Sequence, residues 1–352
     1  PLTTGTGDNQ AVTGWNKDVH VYPKNQKVSG SKTVDDSRAY AGENVKYTVT
    51  GEVPAVPASG TFDGYDVIDD YDETRVDIVF DSLKVSVTGG STPLVLVAGS
   101  DYTVQQGDGK FAVSFTSAGS TKLAEARKTG GAATKVQLEY EGKLKEGAVL
   151  GAATNKATIV PPDTSKPDPE TKRPPINPDN PNDNPIPPVI QIPEVQTVLG
   201  QITIEKTGDN GAPLSGAEFQ LYRCEQGTTK TTHGPISVNG TNTWTTSGEN
   251  GSVTLPAIQV EDFYDNKGQE DNFDYCVVET KAPAGYALLP KPVTASITQA
   301  NPNTTIKVEN VKDNTSINLP STGERGTLFA IIGGGLLALL AAIYFARRNR
   351  TA

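Results

Sequence analysis

Apolar residues recur at every second position in short runs along the first half of the chain. Examples are Val45, Tyr47 and Val49; Phe111, Val113 and Phe115; and Val136, Leu138 and Tyr140. Gly, Ser and Asp clusters separate the runs. This alternation predicts half-buried antiparallel strands of a β-sandwich over residues 15–160, with one short helix at Thr121 to Lys128. A second alternating region, 198–312, predicts another β-sandwich. Between them, Pro161 to Pro193 holds twelve prolines. Such a segment resists helix and central strand, so 161–197 reads as an extended, semi-rigid linker of up to about 100 Å. Residues 1–14 are Thr- and Gly-rich and read as a flexible lead-in. Near the C-terminus, residues 326–346 are uncharged and apolar. As a helix they would be about 31 Å long, the thickness of a bilayer core. Arg347, Arg348 and Arg350 follow, so 347–352 reads as a basic cytoplasmic tail and everything before the span as extracellular. The predicted class is all-β: tandem Ig-like β-sandwiches, a Pro-rich linker and a C-terminal transmembrane helix.

Composition narrows the function. The net charge of −10 argues against a nucleic-acid partner, which needs clustered Lys and Arg. Two cysteines and two histidines leave no material for a Cys-rich zinc site and little for a His-based catalytic centre, so neither a metal nor a cofactor is expected. His20 and His233 lack ligand-spaced partners and read as surface residues. No methionine is present, even at position 1, which suggests a chain starting downstream of its natural start, without its signal peptide and with a leading domain missing.

Leu319, Pro320, Ser321, Thr322 and Gly323 stand just before the apolar span, in a tether covering 313–325. Pentapeptide, span and basic tail together resemble the LPxTG cell-wall sorting signal of Gram-positive surface proteins. The resemblance implies cleavage by a sortase between Thr322 and Gly323 and transfer of the Thr322 carboxyl, through an enzyme thioester, to an amine. Membrane tethering before cleavage would supply proximity.

Trp15 to Lys24 reads WNKDVHVYPK. It resembles the pilin motif WxxxVxVYPK of sortase-assembled pili, matching at Trp15, Val19, Val21, Tyr22, Pro23 and Lys24. The resemblance makes Lys24 the amine that receives the Thr322 carboxyl of another subunit. Strand parity agrees: Val19 and Val21 share one face, and Lys24 follows the other, past a proline that weakens pairing.

Three polar residues occupy apolar faces in the second region. Lys206 shares parity with Ile202 and Ile204, Glu279 with Tyr275 and Val277, and Asn310 with Ile306 and Val308. Burial favours a neutral amine and a neutral carboxylic acid. The amine is then a nucleophile and the acid can polarise the carboxamide, giving a Lys–Asn isopeptide bond and ammonia. The segments GQITIEKTG, VVETKAPAGY and IKVENV resemble the CNA-B domains of Gram-positive pilins and adhesins. That resemblance assigns the bond to Lys206 and Asn310 and the acid to Glu279. A buried Lys206–Glu279 salt bridge is the competing reading.

The first region carries a looser version: Lys32 beside Val34, Asp69 beside Tyr65 and Val67, and Asn155 beside Ala157 and Ile159. The order Lys, Asp, Asn resembles the middle domain of SpaA-type major pilins, where Asp is the catalytic acid. Lys27 competes with Lys32, and Asp70 with Asp69. The acids from Asp63 to Asp77 do not fit a calcium-loop spacing and read as a solvated acidic loop. Cys224 and Cys276 both leave the predicted core face and could meet outside it as a disulfide. SpaA-type pilins have a similar pair. Two free thiols are the alternative.

Taken together, the chain resembles the SpaA/FimA-type backbone pilins. The resemblance implies a structural shaft subunit, not a turnover enzyme. Its expected partners are identical subunits head-to-tail, a pilin-specific class C sortase, a housekeeping sortase with peptidoglycan, and minor or tip pilins. A monomeric wall-anchored adhesin for host matrix is the alternative, and an extracellular hydrolase would need a catalytic cluster the sequence lacks.

Overall fold

The computed structural model describes residues 2–4, 11–14, 28–57, 60–145, 151–163, 172–181, 189–269 and 273–313. The motif segment Trp15 to Lys24, Lys27, the sorting signal at Leu319 to Gly323, the apolar span and the basic tail lie outside them. Among the described residues no helix is long and apolar enough to cross a membrane.

A short hairpin, β1 (Leu2–Thr4) and β2 (Ala11–Gly14), precedes the first unit. That unit contains β3 (Gly30–Asp35), β4 (Asn44–Glu52), β5 (Asp66–Tyr71), β6 (Val76–Thr88), β7 (Leu94–Val95), β8 (Tyr102–Gly107), β9 (Lys110–Phe115), the helix α1 (Ser117–Gly130), β10 (Lys135–Leu144) and β11 (Gly151–Val160). One sheet runs β3-β4-β10-β6-β7. The facing strands run β11-β5-β9-β8. Inward residues of β4 and β10 alternate as the sequence predicts: Val45, Tyr47, Val49, Val136, Leu138 and Tyr140 are all buried. The helix extends beyond the predicted Thr121 to Lys128 at both ends. Thr116 caps its start by accepting from the Gly119 N–H.

The second unit contains β12 (Ile190–Gly208), β13 (Glu218–Glu225), β14 (Thr231–His233), β15 (Trp244–Thr245), β16 (Ser252–Gln259), β17 (Phe263–Tyr264), β18 (Lys267–Gly268), β19 (Phe273–Lys281), β20 (Val293–Ala295) and β21 (Asn303–Asn310). β12 pairs antiparallel with β16 and parallel with β21. Facing it is the sheet β14-β13-β19-β20.

Two features depart from the sequence expectation. First, β12 begins at Ile190, inside the segment read as linker, and its N-terminal half pairs with β11 before its C-terminal half enters the second unit. One strand therefore serves both sandwiches. Second, residues 172–181 lie back on the first unit instead of spacing the two apart. Arg173 reaches Asp66 at 2.6 Å and the carbonyls of Pro161 and Val160. Ile176 is buried in a cluster with Ile68, Ala112 and Val160. Proline runs cannot join a ladder, but they can cover a sheet face, and this one buries the outer side of β5 and β9. The acids Asp63 to Asp77 are only partly the solvated loop expected: Asp66 and Asp69 are buried, while Glu73 and Asp77 stay exposed at and after the turn. Asp69 pairs with Lys32, Asp70 with Lys156, Asp72 with Arg75 and Asp77 with Lys145.

Candidate functional site

The inner faces of each sandwich carry the polar residues that alternation singled out. Lys32 enters the first core from β3, on one sheet. Asp69 on β5 and Asn155 on β11 enter from the other. β5 and β11 are neighbours in which Ala157 opposes Asp69, so Asn155 lies one side-chain step along the same face. Lys32 Nζ donates to Asp69 Oδ2 at 2.6 Å and also to Asn155 Oδ1. The amine thus lies against the carboxamide it would attack. The competing residues separate here: Asp70 is partly exposed and paired with Lys156.

The surroundings are aromatic. Tyr47 and Tyr140, cross-strand partners on β4 and β10, stack at 5.3 Å. Lys32 Nζ lies 5.4 Å and 5.6 Å from their ring centroids. The Tyr140 hydroxyl donates to Asp69 Oδ2 at 2.5 Å and accepts from Asn155 Nδ2 at 3.2 Å. Burial pushes the Lys32 ammonium down, against the attraction of Asp69. Burial likewise pushes the Asp69 carboxyl up, against Lys32 and hydrogen bonding from Tyr140 and, least, Asn155. Both shifts favour the neutral amine and neutral acid. Sequence reasoning placed Tyr47 and Tyr140 in the core but missed their contact with the trio. The available signal was two tyrosines on an inward face, whose hydroxyls need partners when buried.

The second unit builds its cluster differently. Lys206 and Asn310 lie on adjacent parallel strands of one sheet, with Lys206 opposite Val308 and Gly208 opposite Asn310. Glu279 faces them from β19 in the other sheet. All three are buried. Both Glu279 oxygens accept from Asn310 Nδ2 at 3.0 Å, and Glu279 Oε2 also accepts from the Leu289 N–H at 2.9 Å. Lys206 Nζ donates to the carbonyls of Thr207 and Val308. The structure therefore joins Glu279 to Asn310, while Lys206 is held by backbone oxygens on the strand beside Asn310. The competing salt bridge is not formed. Burial lowers the Lys206 ammonium, opposed by Glu279 and Glu309.

Cys224 and Cys276 form a disulfide, with Cα atoms 5.8 Å apart. They sit diagonally on β13 and β19, since Tyr222 opposes Cys276 and Asp274 opposes Cys224. Both point away from the main core, yet both are fully buried. The turn after β13 covers them, and Cys276 Sγ approaches the Thr228 carbonyl at 3.9 Å. His233 is exposed.

Comparison with known proteins agrees with this arrangement. Residues 200–312 match the SpaA prealbumin-like fold domain, and residues 312–352 match the LPXTG cell wall anchor motif. Fimbrial subunit type 1 of Actinomyces viscosus is 30% identical over 376 aligned positions, which take in 97% of this chain and 68% of that protein. The chain belongs to the fimbrial subunit (major pilin) family of Gram-positive bacteria. Fimbrial subunit type 2 of Actinomyces naeslundii is 32% identical over 93% of the pilin and 61% of its own length. Among solved structures, the full-length major pilin SpaD of Corynebacterium diphtheriae superposes with a TM-score of 0.65 at 28% identity, covering 82% of this pilin and 66% of SpaD. The C. diphtheriae major pilin SpaA, whose structure is described as pointing to a modular pilus assembly with stabilizing isopeptide bonds, gives 0.63 at 26% identity, covering 85% of this pilin and 73% of SpaA. The pilin is a cell-wall-anchored surface protein of the pilus shaft.

Proposed function

We propose that this pilin is polymerised head-to-tail by a pilin-specific sortase, which joins the Thr322 carboxyl of one subunit to Lys24 of the next. A housekeeping sortase then passes the finished fibre to peptidoglycan, and minor or tip pilins complete it. The two ends of the chain define a heterologous contact, which does not close and so grows a fibre. Each subunit is reinforced by two internal Lys–Asn bonds, Lys32–Asn155 with Asp69 as acid and Lys206–Asn310 with Glu279 as acid. No turnover chemistry is involved beyond these self-formed bonds. The observation that carries the reading is the Lys32–Asp69–Asn155 cluster, where amine, acid and carboxamide are in hydrogen-bond contact inside a sandwich core.

The assembly half of the proposal is tested by Lys24→Arg. A guanidinium keeps the charge but stays protonated and is no nucleophile. SDS-resistant ladders containing the pilin should vanish while monomer still reaches the wall. Ladders that persist would move the linkage to another lysine, with Lys17 or Lys27 next in line.

A further inference from the structure

We propose that Tyr140 carries the proton between Asp69 and the departing nitrogen of Asn155 when the first internal bond forms. The inference rests on the reading of Lys32, Asp69 and Asn155 as a bond-forming trio. It follows from a difference between the two units. In the second, both Glu279 oxygens lie 3.0 Å from Asn310 Nδ2, so the acid meets the leaving nitrogen directly. Aspartate is one methylene shorter. In the first unit Asp69 Oδ2 accepts from Lys32 Nζ and the Tyr140 hydroxyl, and it is the Tyr140 oxygen that accepts from Asn155 Nδ2. The buried Asp69 Oδ1 makes no hydrogen bond. Asn155 also acts on the Asp69 carboxyl, as the least of its hydrogen-bond partners, so the close route from acid to leaving nitrogen runs through the phenol.

The step balances with these groups alone. The lone pair of neutral Lys32 Nζ forms the new bond to Asn155 Cγ, and the Cγ–Nδ2 bond breaks. Nζ sheds one proton to Asp69 Oδ2, the Tyr140 hydroxyl proton passes to Nδ2, and Asp69 returns a proton to Tyr140. Nδ2 leaves as ammonia, and the acid and the phenol end as they began.

The fold holds Tyr140 for this task. The ladder between β10 and β6 shifts register between Glu139 and Glu141, so Tyr140 sits at a bulge, a place where strands re-aim side chains. Ser82 fills the bulge by accepting from the Glu141 N–H at 2.8 Å. The ring is clamped by Tyr47 on one side and by the edge of Phe111, at 5.3 Å each. A clamped ring keeps the hydroxyl between its two partners without reorganisation.

The test is Tyr140→Phe, made by cell-free synthesis of the full chain and quenched over time. Mapping of the Lys32–Asn155 crosslinked peptide should show formation slowed by about 100-fold or more, the lower end of a general acid–base proton-transfer contribution. The Lys206–Asn310 crosslink in the same molecules reports folding and should keep its wild-type rate. Asp69→Glu combined with Tyr140→Phe should restore the fast rate, because the longer acid reaches Nδ2 where the hydroxyl was. A wild-type rate in Tyr140→Phe, or a double variant no faster than it, overturns the relay. A wild-type protein lacking the Lys32–Asn155 crosslink would remove the trio itself, and the relay with it.

Discussion

Arg223 of the second unit donates to the Tyr40 hydroxyl of the first at 2.9 Å. The same guanidinium bonds the Ser37 carbonyl and Gln259 Oε1 and lies 4.1 Å from the Phe273 centroid. Around it, backbone bonds join Ala41 to Ala257 and Gln259 to Ala39. Gly42 adopts φ +89°, and a Cβ there would lie 3.1 Å from the Asn239 Cα, so glycine lets the second unit's loop close on the first. With β12 shared by both sandwiches, the two units are fastened along one seam.

Arg223→Ala should therefore loosen the seam and leave each core intact. The loss should be about 2 kcal/mol, from charged hydrogen bonds and the aromatic contact. Hydrogen exchange should rise at residues 36–41 and 257–260 and stay unchanged in β10. Equal protection in both proteins would show that β12 alone holds the units together.

Glu261 gives the second unit a pH response. Its carboxylate accepts from the Tyr275 N–H and from the Ser296 hydroxyl, and Asp274 adds repulsion. Burial pushes it up from 4.5 to about 7. A raised carboxyl favours the folded state while it is protonated, so this contribution is full below the ordinary glutamate range. It is lost as pH rises through about 7. Glu261→Gln should flatten the decline in melting temperature between about pH 5 and pH 8 relative to wild type, a difference of roughly 1–3 kcal/mol. Parallel melting curves for the two proteins would refute the assignment.

How much of this was legible in the sequence depends on what each position had to satisfy. Lys32, Asp69, Asn155, Lys206, Glu279 and Asn310 stood out because a period-two strand fixes which face a residue takes, and all six are buried. Tyr140 did not stand out. An inward tyrosine reads as core, and its hydroxyl's partners come from β5 and β11, which pairing alone brings near. The Pro-rich segment misled in the opposite way. Proline content forbids a ladder within the segment, but it does not say whether the segment leaves the domain. Arg173 supplied that answer by meeting the buried Asp66, a long-range pairing that no local pattern encodes. The acidic run read as solvated for the same reason: its cations come from distant positions such as Lys32, Lys145 and Lys156.

The disulfide should resist native-state reagents. Cys224 and Cys276 are fully buried, so alkylation without denaturant should label neither, before or after brief exposure to a mild reductant. Cys224→Ala with Cys276→Ala should lower stability by about 3–4 kcal/mol, since the bridge closes a separation of 52 residues. Rapid labelling of both thiols in the folded protein would contradict this.

The proposed internal bonds make the sharpest distinction between the two units. The mature ectodomain should weigh less than its sequence by one ammonia for each Lys–Asn bond. Asp69→Ala should keep the first ammonia and Glu279→Ala the second, each without affecting the other, because the clusters share no residue and lie in different sandwiches. Lys32 and Asn155 are 123 residues apart and would close a long loop, worth about 4–5 kcal/mol in the chain-entropy model. The mechanical consequences differ more than the energies. A Lys32–Asn155 bond crosses between the two sheets of its sandwich, whereas Lys206–Asn310 ties neighbouring parallel strands of one sheet. Under tension, Asp69→Ala should let the first unit's sheets separate, and Glu279→Ala should let β21 shear along β12. Single-molecule pulling on the two variants should give unfolding events in different units, with the other unit silent at the same force. Identical force traces for the two variants would mean that neither bond carries the load.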